Sequence, residues 1–217
     1  MNIQLDHLVP IPLRDKIKQQ GSEVWDRAIT LDAGQFVKIK APSGTGKTTL
    51  VHYLYNIRYD YSGQVLLDGK AWAGFSKNEV ASLRQQQISI VFQDLRLFDQ
   101  LTARENINLK RTMHPGQPYC TEERVMEMAD ALQVLHVLQQ SAKTLSYGER
   151  QRIAIIRALT QPFTWLFMDE PFSHLDAANA NRAAQLIAVE CNRRQAGFVL
   201  TDLDADTHFD YHVHYHL

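Results

Sequence analysis

The segment Ala41-Pro42-Ser43-Gly44-Thr45-Gly46-Lys47-Thr48 has the residue types and spacing needed to hold a phosphate. Gly44 and Gly46 permit backbone conformations and close approaches that a Cβ would obstruct. With Pro42 leading in, Ser43, Gly44, Thr45 and Gly46 can therefore aim successive N–H groups at an anion, and the helix that follows adds the positive end of its dipole. Lys47 would reach the terminal phosphates, the Thr48 hydroxyl would ligate Mg²⁺, and Thr49 would complete the cradle. The strict phosphate-loop pattern has Gly where this chain has Ala41, a residue biased towards extended backbone by the proline after it.

A second pair of chemical residues lies far along the chain. Trp165-Leu166-Phe167-Met168 is an apolar run ending in Asp169-Glu170. Asp169 would hold hydrated Mg²⁺ and Glu170 would orient and deprotonate an attacking water. Phosphoryl transfer needs mostly placement and charge neutralisation, so this short kit is sufficient in kind.

These groups need strands that end beside one another. Residues 36–40 read as a strand, 41–46 as a loop and 48–55 as a helix. Residues 64–69 read as a strand closing on a turn, and 88–92 as a buried strand ending at Gln93. Residues 101–142 are helical in pattern, with a break at 114–118, and 149–159 form a further helix. Residues 165–168 and 198–201 are all-apolar, as strands buried on both faces require. The alternation predicts an α/β fold whose ligand lies at the carboxyl ends of its strands.

Composition narrows the class. Twenty-three Lys+Arg against 24 Asp+Glu in 217 residues supply no basic field for nucleic acid. No stretch reaches the ~18 apolar residues of a membrane span, and residues 1–6 lack the marks of a secretion signal. Cys120 and Cys191 are expected to be ordinary reduced thiols of a cytosolic chain.

Leu145-Ser146-Tyr147-Gly148-Glu149, immediately before the 149–159 helix, resembles the Leu-Ser-Gly-Gly-Gln signature of ATP-binding cassette (ABC) ATPases. The likeness continues through Asp169-Glu170-Pro171, through Ser173-His174-Leu175-Asp176, similar to the family's D-loop, and through Gln93 at the Q-loop position. It covers roughly residues 30 to 203 in continuous order. The resemblance implies a P-loop NTPase fold of ABC-ATPase type, with a RecA-like core, an antiparallel β subdomain and an α-helical subdomain. The core and β subdomain would take residues 1–93 and 144–217, and the helical subdomain residues 94–143. Catalytic roles carry over to Glu170, Gln93 and Lys47, and metal ligation to Thr48, Gln93 and Asp169. Two chains would pack head to tail, so that Ser146, Tyr147, Gly148 and Glu149 of one face the ATP and Mg²⁺ held by the other, with Asp176 in the D-loop between them. The 93–107 region resembles the lipoprotein-release, macrolide-export and cell-division subgroup. That implies a transmembrane permease docked in a groove near Gln93, and a place on the cytoplasmic face of the inner (plasma) membrane. The dimer would be a homodimer or a pair of different cassettes, and no nucleic acid is expected.

Several positions depart from the family pattern. Asp202 falls where the family places a histidine that contacts the γ-phosphate. An anion facing an anion at about 4 Å, with an effective dielectric near 20, is repelled by roughly 4 kcal/mol. Asp202 must therefore be protonated, turned away or bound to a cation, and hydrolysis should be slow. His208 is a remote substitute. Tyr147 replaces the signature's first glycine, and His174 stands where the D-loop carries a small residue. No aromatic lies in residues 4–23 to stack on adenine. Trp25 is the nearest, with a core role the more natural, so ATP is expected with GTP tolerated. His212, His214 and His216 would share one face of a terminal edge strand, as a polar face in preference to a metal site. The function expected is the ATP-binding and ATP-hydrolysing subunit of a transporter-like complex. The alternative is an ATP-dependent dimerisation switch that hydrolyses little and regulates a protein partner. A soluble ABC protein acting on nucleic acid or ribosomes fits less well.

Overall fold

In a computed structural model of the chain, which describes residues 1–113, 119–203 and 207–217 (Gln20 by its backbone alone), two sheets meet around the phosphate loop. The elements, in chain order, are β1 (Ile3–Pro10), α1 (Arg14–Gln20), β2 (Ala28–Leu31), β3 (Phe36–Lys40), α2 (Lys47–Leu54), β4 (Tyr61–Leu67), β5 (Lys70–Ala71) and α3 (Lys77–Gln86). They continue with β6 (Ile88–Val91), α4 (Ala103–Arg111), α5 (Glu122–Ala131), α6 (Tyr147–Leu159), β7 (Trp165–Asp169), α7 (Ala177–Arg194), β8 (Gly197–Asp202) and β9 (Val213–His216).

The parallel sheet has the order β6-β7-β8-β3-β9. Its central strands are apolar on both faces because helices cover both, and every residue of β7 is buried. Register brings the chemistry together: Lys40 lies opposite Asp202 and Asp169 opposite Thr201. The phosphate loop after β3 and the carboxylates ending β7 thus share one edge of the sheet. The antiparallel sheet, β2-β1-β4-β5, packs through Ile3, Leu5, Val65 and Leu67 into the same core as α2. A second core gathers α4 to α7 beneath the other face.

The expected strands are present with moved ends. Residues 64–69 belong to a longer β4 that begins at Tyr61, with the turn at Asp68-Gly69. The helix read as 48–55 runs Lys47–Leu54. The helix read from Glu149 begins two residues earlier, because Ser146 and Glu149 form a reciprocal capping box. The 101–142 segment is α4 and α5 followed by two single-turn 3₁₀ segments. The break read at 114–118 lies outside the described residues. Both cysteines are free and buried. β9 is an edge strand, paired parallel to β3 alone. His214 and His216 point outward, and the His212 Nδ1 accepts the Phe36 N–H at 2.9 Å. Among the described residues no cluster of three or more His, Cys, Asp or Glu is placed to hold a metal, and no helix is long and apolar enough to cross a membrane.

Candidate nucleotide site

Gly46 caps α2 in the left-handed region, at φ 108°. A Cβ there would sit 2.9 Å from Leu13 Cδ1 and 3.1 Å from the Trp25 ring, so glycine is required by strain and by space. Lys47 is 6% exposed. Its ammonium donates to the Ala41 and Pro42 carbonyls at 2.9 and 3.3 Å and lies 3.3 Å from Glu170 Oε1. The chain of contacts continues outward. Gln93 Nε2 donates to Glu170 Oε2 at 3.2 Å, and the Thr48 hydroxyl donates to Gln93 Oε1 at 3.2 Å. Asp169, 2% exposed, accepts the Thr201 hydroxyl at 2.7 Å.

Lys47, Thr48, Gln93 and Glu170 are therefore joined by direct contacts, although they come from α2, the loop after β6 and the end of β7. A cavity of about 240 Å³ is lined by Ser43, Gly44, Gly46, Thr49 and these same residues, with Leu13 on one wall. The cavity has oxygen ligands suited to a hard cation in the Thr48 hydroxyl and the Gln93 amide oxygen, whereas Asp169, the third residue expected to hold the metal, is not among its lining residues. Glu170 has φ 49°, a left-handed backbone unusual for a non-glycine residue, and its carbonyl accepts from Gln151 and Ser173.

The Asp202 carboxylate is bound to a cation, one of the arrangements its charge demands. Its Oδ2 lies 3.6 Å from the ammonium of Lys38, which is 1% exposed, and its Oδ1 accepts the Leu203 N–H at 2.7 Å. Sequence reasoning missed Lys38, whose place inside an apolar strand carries the signal in retrospect. His208 packs its ring on Phe172, with centroids 5.1 Å apart. Trp25 is 2% exposed, and its indole N–H donates to the Thr45 carbonyl at 3.2 Å. It supports the phosphate loop from beneath and belongs to the core.

The signature residues sit at the start of α6. Ser146 donates its hydroxyl to Glu149 at 2.6 Å, and the Glu149 carboxylate also accepts the Ser146 N–H at 2.8 Å. These bonds hold the Glu149 carboxyl below the usual carboxylate range, with burial opposing. The Tyr147 hydroxyl donates to the Gln93 carbonyl at 3.0 Å, and its ring lies on His174 with centroids 4.1 Å apart. A Cβ on Gly148 would stand 3.2 Å from the His174 carbonyl, so this helix start and the 173–176 loop are closely apposed. Asp176 caps α7, accepting the Asn179 N–H at 2.8 Å. Within one chain the signature is thus tied to the loops carrying Gln93 and His174.

Comparison with known proteins gives one answer. The model of the ABC transporter family matches residues 26–173. An uncharacterized ABC transporter ATP-binding protein, YvcR of Bacillus subtilis, is 33% identical over 87% of this chain and 72% of its own length. The cell division ATP-binding protein FtsE of the same organism is 34% identical over 69% of this chain and 65% of its own length. Among solved structures, the dimeric form of MJ0796, a bacterial ABC transporter cassette, superimposes with a TM-score of 0.77 at 25% identity. That match covers 93% of this chain and 88% of the other. A post-hydrolysis dimer of the same cassette, bound to ADP and Pi, gives 0.78 at 23% identity, again over 93% and 88%, as evidence of fold alone. On the family match and the YvcR likeness together, the chain belongs to the ABC transporter family.

Proposed function

We propose that this chain is the ATP-binding subunit of a transporter-like complex, hydrolysing ATP at a head-to-tail dimer interface to drive a membrane partner. The observation that carries the reading is the contact chain Lys47–Glu170–Gln93–Thr48 around one small cavity. Pro42, Ser43, Gly44, Thr45, Gly46, Lys47, Thr48 and Thr49 would cradle the phosphates. Thr48, Gln93 and Asp169 would hold Mg²⁺, which neutralises phosphate charge when bound. Glu170 would orient and deprotonate the attacking water. Ser146, with Tyr147, Gly148, Glu149 and the Asp176 loop, would close on the partner cassette's nucleotide. Glu149 sets a carboxylate at that helix start, where it occupies the Ser146 N–H and hydroxyl that a phosphate would otherwise meet.

Hydrolysis is slow in this reading, because Asp202 supplies no donor to the developing charge. The working unit divides into a nucleotide-binding core with its β subdomain, 1–93 and 144–217, and a helical subdomain, 94–143. Between them lies a groove of about 340 Å³ that includes Tyr55, Phe92, Phe98, Lys110, Met113 and Arg157. Phe98 is 60% exposed and Met113 50%. Burial, with Arg157 and Arg84 nearby, pushes the Lys110 ammonium down to about 8. These features suit an apolar helix of the membrane subunit that also brings a carboxylate, holding the cassette at the cytoplasmic face of the membrane. Phosphate release from Mg-ATP tests the reading. The purified chain should turn over slowly, and Lys47→Ala and Glu170→Gln should each reduce the rate at least about a hundredfold. Undiminished release by both variants would sink it.

A second reading, a switch that dimerises on ATP and hydrolyses little, is favoured by the Lys38–Asp202 pair alone. Turnover unchanged by addition of the membrane partner would select it.

A further inference from the structure

We propose that Arg58 is a positioning residue of the phosphate site, holding the Thr49 hydroxyl so that its proton is presented to a phosphate oxygen in the cavity. The inference rests on the nucleotide reading above and adds a residue that stands outside the phosphate loop.

The arrangement begins at the end of α2. Asn56 takes a left-handed backbone, φ 58°, and the N–H groups of Asn56 and Ile57 return to the Tyr53 and His52 carbonyls, both at 3.0 Å. That pair of bonds stops the helix and reverses the chain. The Arg58 guanidinium then reaches back to the first turn of α2, where Nη1 donates to the Thr49 hydroxyl at 3.2 Å. The rest of the fork is fixed, since Nε and Nη2 each donate to one Asp60 carboxylate oxygen at 2.6 Å. Tyr53, fully buried, donates its hydroxyl to the same carboxylate at 3.2 Å.

A guanidinium has donors only, so the Thr49 oxygen must accept from it, and the single hydroxyl proton is left for another acceptor. The usual acceptor for a helical threonine is the carbonyl four residues back. Here that carbonyl, of Thr45, receives the Trp25 indole N–H at 3.2 Å. The Thr49 proton goes to no acceptor among the described residues. Thr49 lines the cavity with Ser43, Gly44, Lys47 and Thr48, so an anion held there is the acceptor its hydroxyl meets. Thr48 has a different task, since its hydroxyl is given to Gln93. The Asp60 carboxylate balances the Arg58 charge, and the bonds from Arg58 hold that carboxyl below the usual carboxylate range. Arg58 therefore acts by direction more than by net charge, with Asp60 and Tyr53 fixing its fork.

Calorimetric titration of the full chain with Mg-ATP and with inorganic tripolyphosphate, run as a double-mutant cycle, tests this. Arg58→Met and Thr49→Val should each weaken both ligands about three- to tenfold. The double variant should bind within about twofold of the weaker single one, because both changes remove the same directed proton. Arg58→Lys keeps a donor but loses the fork, and should bind ATP more tightly than Arg58→Met. In phosphate release, Arg58→Met should raise KM by the same factor and keep kcat within about twofold, since Thr48 and not Thr49 is bonded to Gln93. Thr49→Val leaves the Arg58–Asp60 pair intact, so the test survives an unstable Arg58→Met chain. Losses that simply multiply in the double variant, or wild-type ATP affinity in either single one, would overturn the positioning role while leaving the phosphate site standing. ATP binding untouched by Lys47→Ala would instead overturn the nucleotide reading itself.

Discussion

Asp202 is the position where a single substitution separates catalysis from architecture. Its carboxylate lies 3.6 Å from the Lys38 ammonium, with side-chain exposures of 23% and 2% respectively. At that separation and an effective dielectric of about 20, the attraction is of order 4–5 kcal/mol before desolvation and screening. Partial exposure of the aspartate reduces the net value, and a coupling of about 1–3 kcal/mol is expected. Asp202→His should therefore lower the thermal midpoint, since it removes the carboxylate that faces a buried cation. A domain of this length loses about 2–4 °C per kcal/mol, which predicts a fall of roughly 2–12 °C. Lys38→Met combined with Asp202→His removes both charges and should recover part of that loss. Only in this double variant is the imidazole free of a competing cation, and there turnover should rise at least about tenfold above wild type. The assay is a double-mutant cycle read by calorimetric melting and by phosphate release. Melting of Asp202→His at the wild-type temperature, or a wild-type rate equal to that of the double variant, would refute the argument.

Two further outcomes follow from the same structure. Glu190 is 1% exposed and ion-paired with Arg124, Arg193 and Arg194. Burial pushes its carboxyl up, but the three guanidinium groups outweigh this and hold it below the usual range. A depressed carboxyl contributes stability that is complete above the unfolded value, about 4.3, and is lost as pH falls through the folded one. Glu190→Gln should cost about 3 kcal/mol at pH 7 and flatten the acid limb of the melting curve, and an unchanged acid limb would reject this. Tyr147→Phe deletes one half-exposed hydrogen bond to the Gln93 carbonyl. It should lower the midpoint by no more than about 4 °C and leave ATP affinity unaltered, and a tenfold affinity change by calorimetry would show that the bond shapes the phosphate site.

What the sequence made legible was chemistry under tight stereochemical constraint. The phosphate loop could be read because backbone donors at a helix start demand glycine at Gly44 and Gly46, and the Asp169-Glu170 pair because an apolar run announces the strand beneath it. The cap of α6 was equally written, in the Ser146 and Glu149 spacing, yet the apolar period alone placed that helix two residues late. The N-terminal sheet was harder to see. β1 carries a register shift between Asp6 and Val9, with His7 at φ 47°, which breaks the alternation that identifies a strand. Lys38 could not be foreseen as a partner for Asp202, since 164 residues separate two positions that β3–β8 pairing makes neighbours.

The central claim is that nucleotide joins two copies of this chain, phosphate loop to signature. Light scattering on Glu170→Gln measures it directly, because that variant should bind Mg-ATP without consuming it. The account predicts a shift from one 24.9 kDa chain to a mass twice that on adding Mg-ATP, with no shift when Lys47→Ala or Ser146→Arg is also present. A mass that stays at one chain under saturating nucleotide, or a dimer indifferent to both further substitutions, would contradict it.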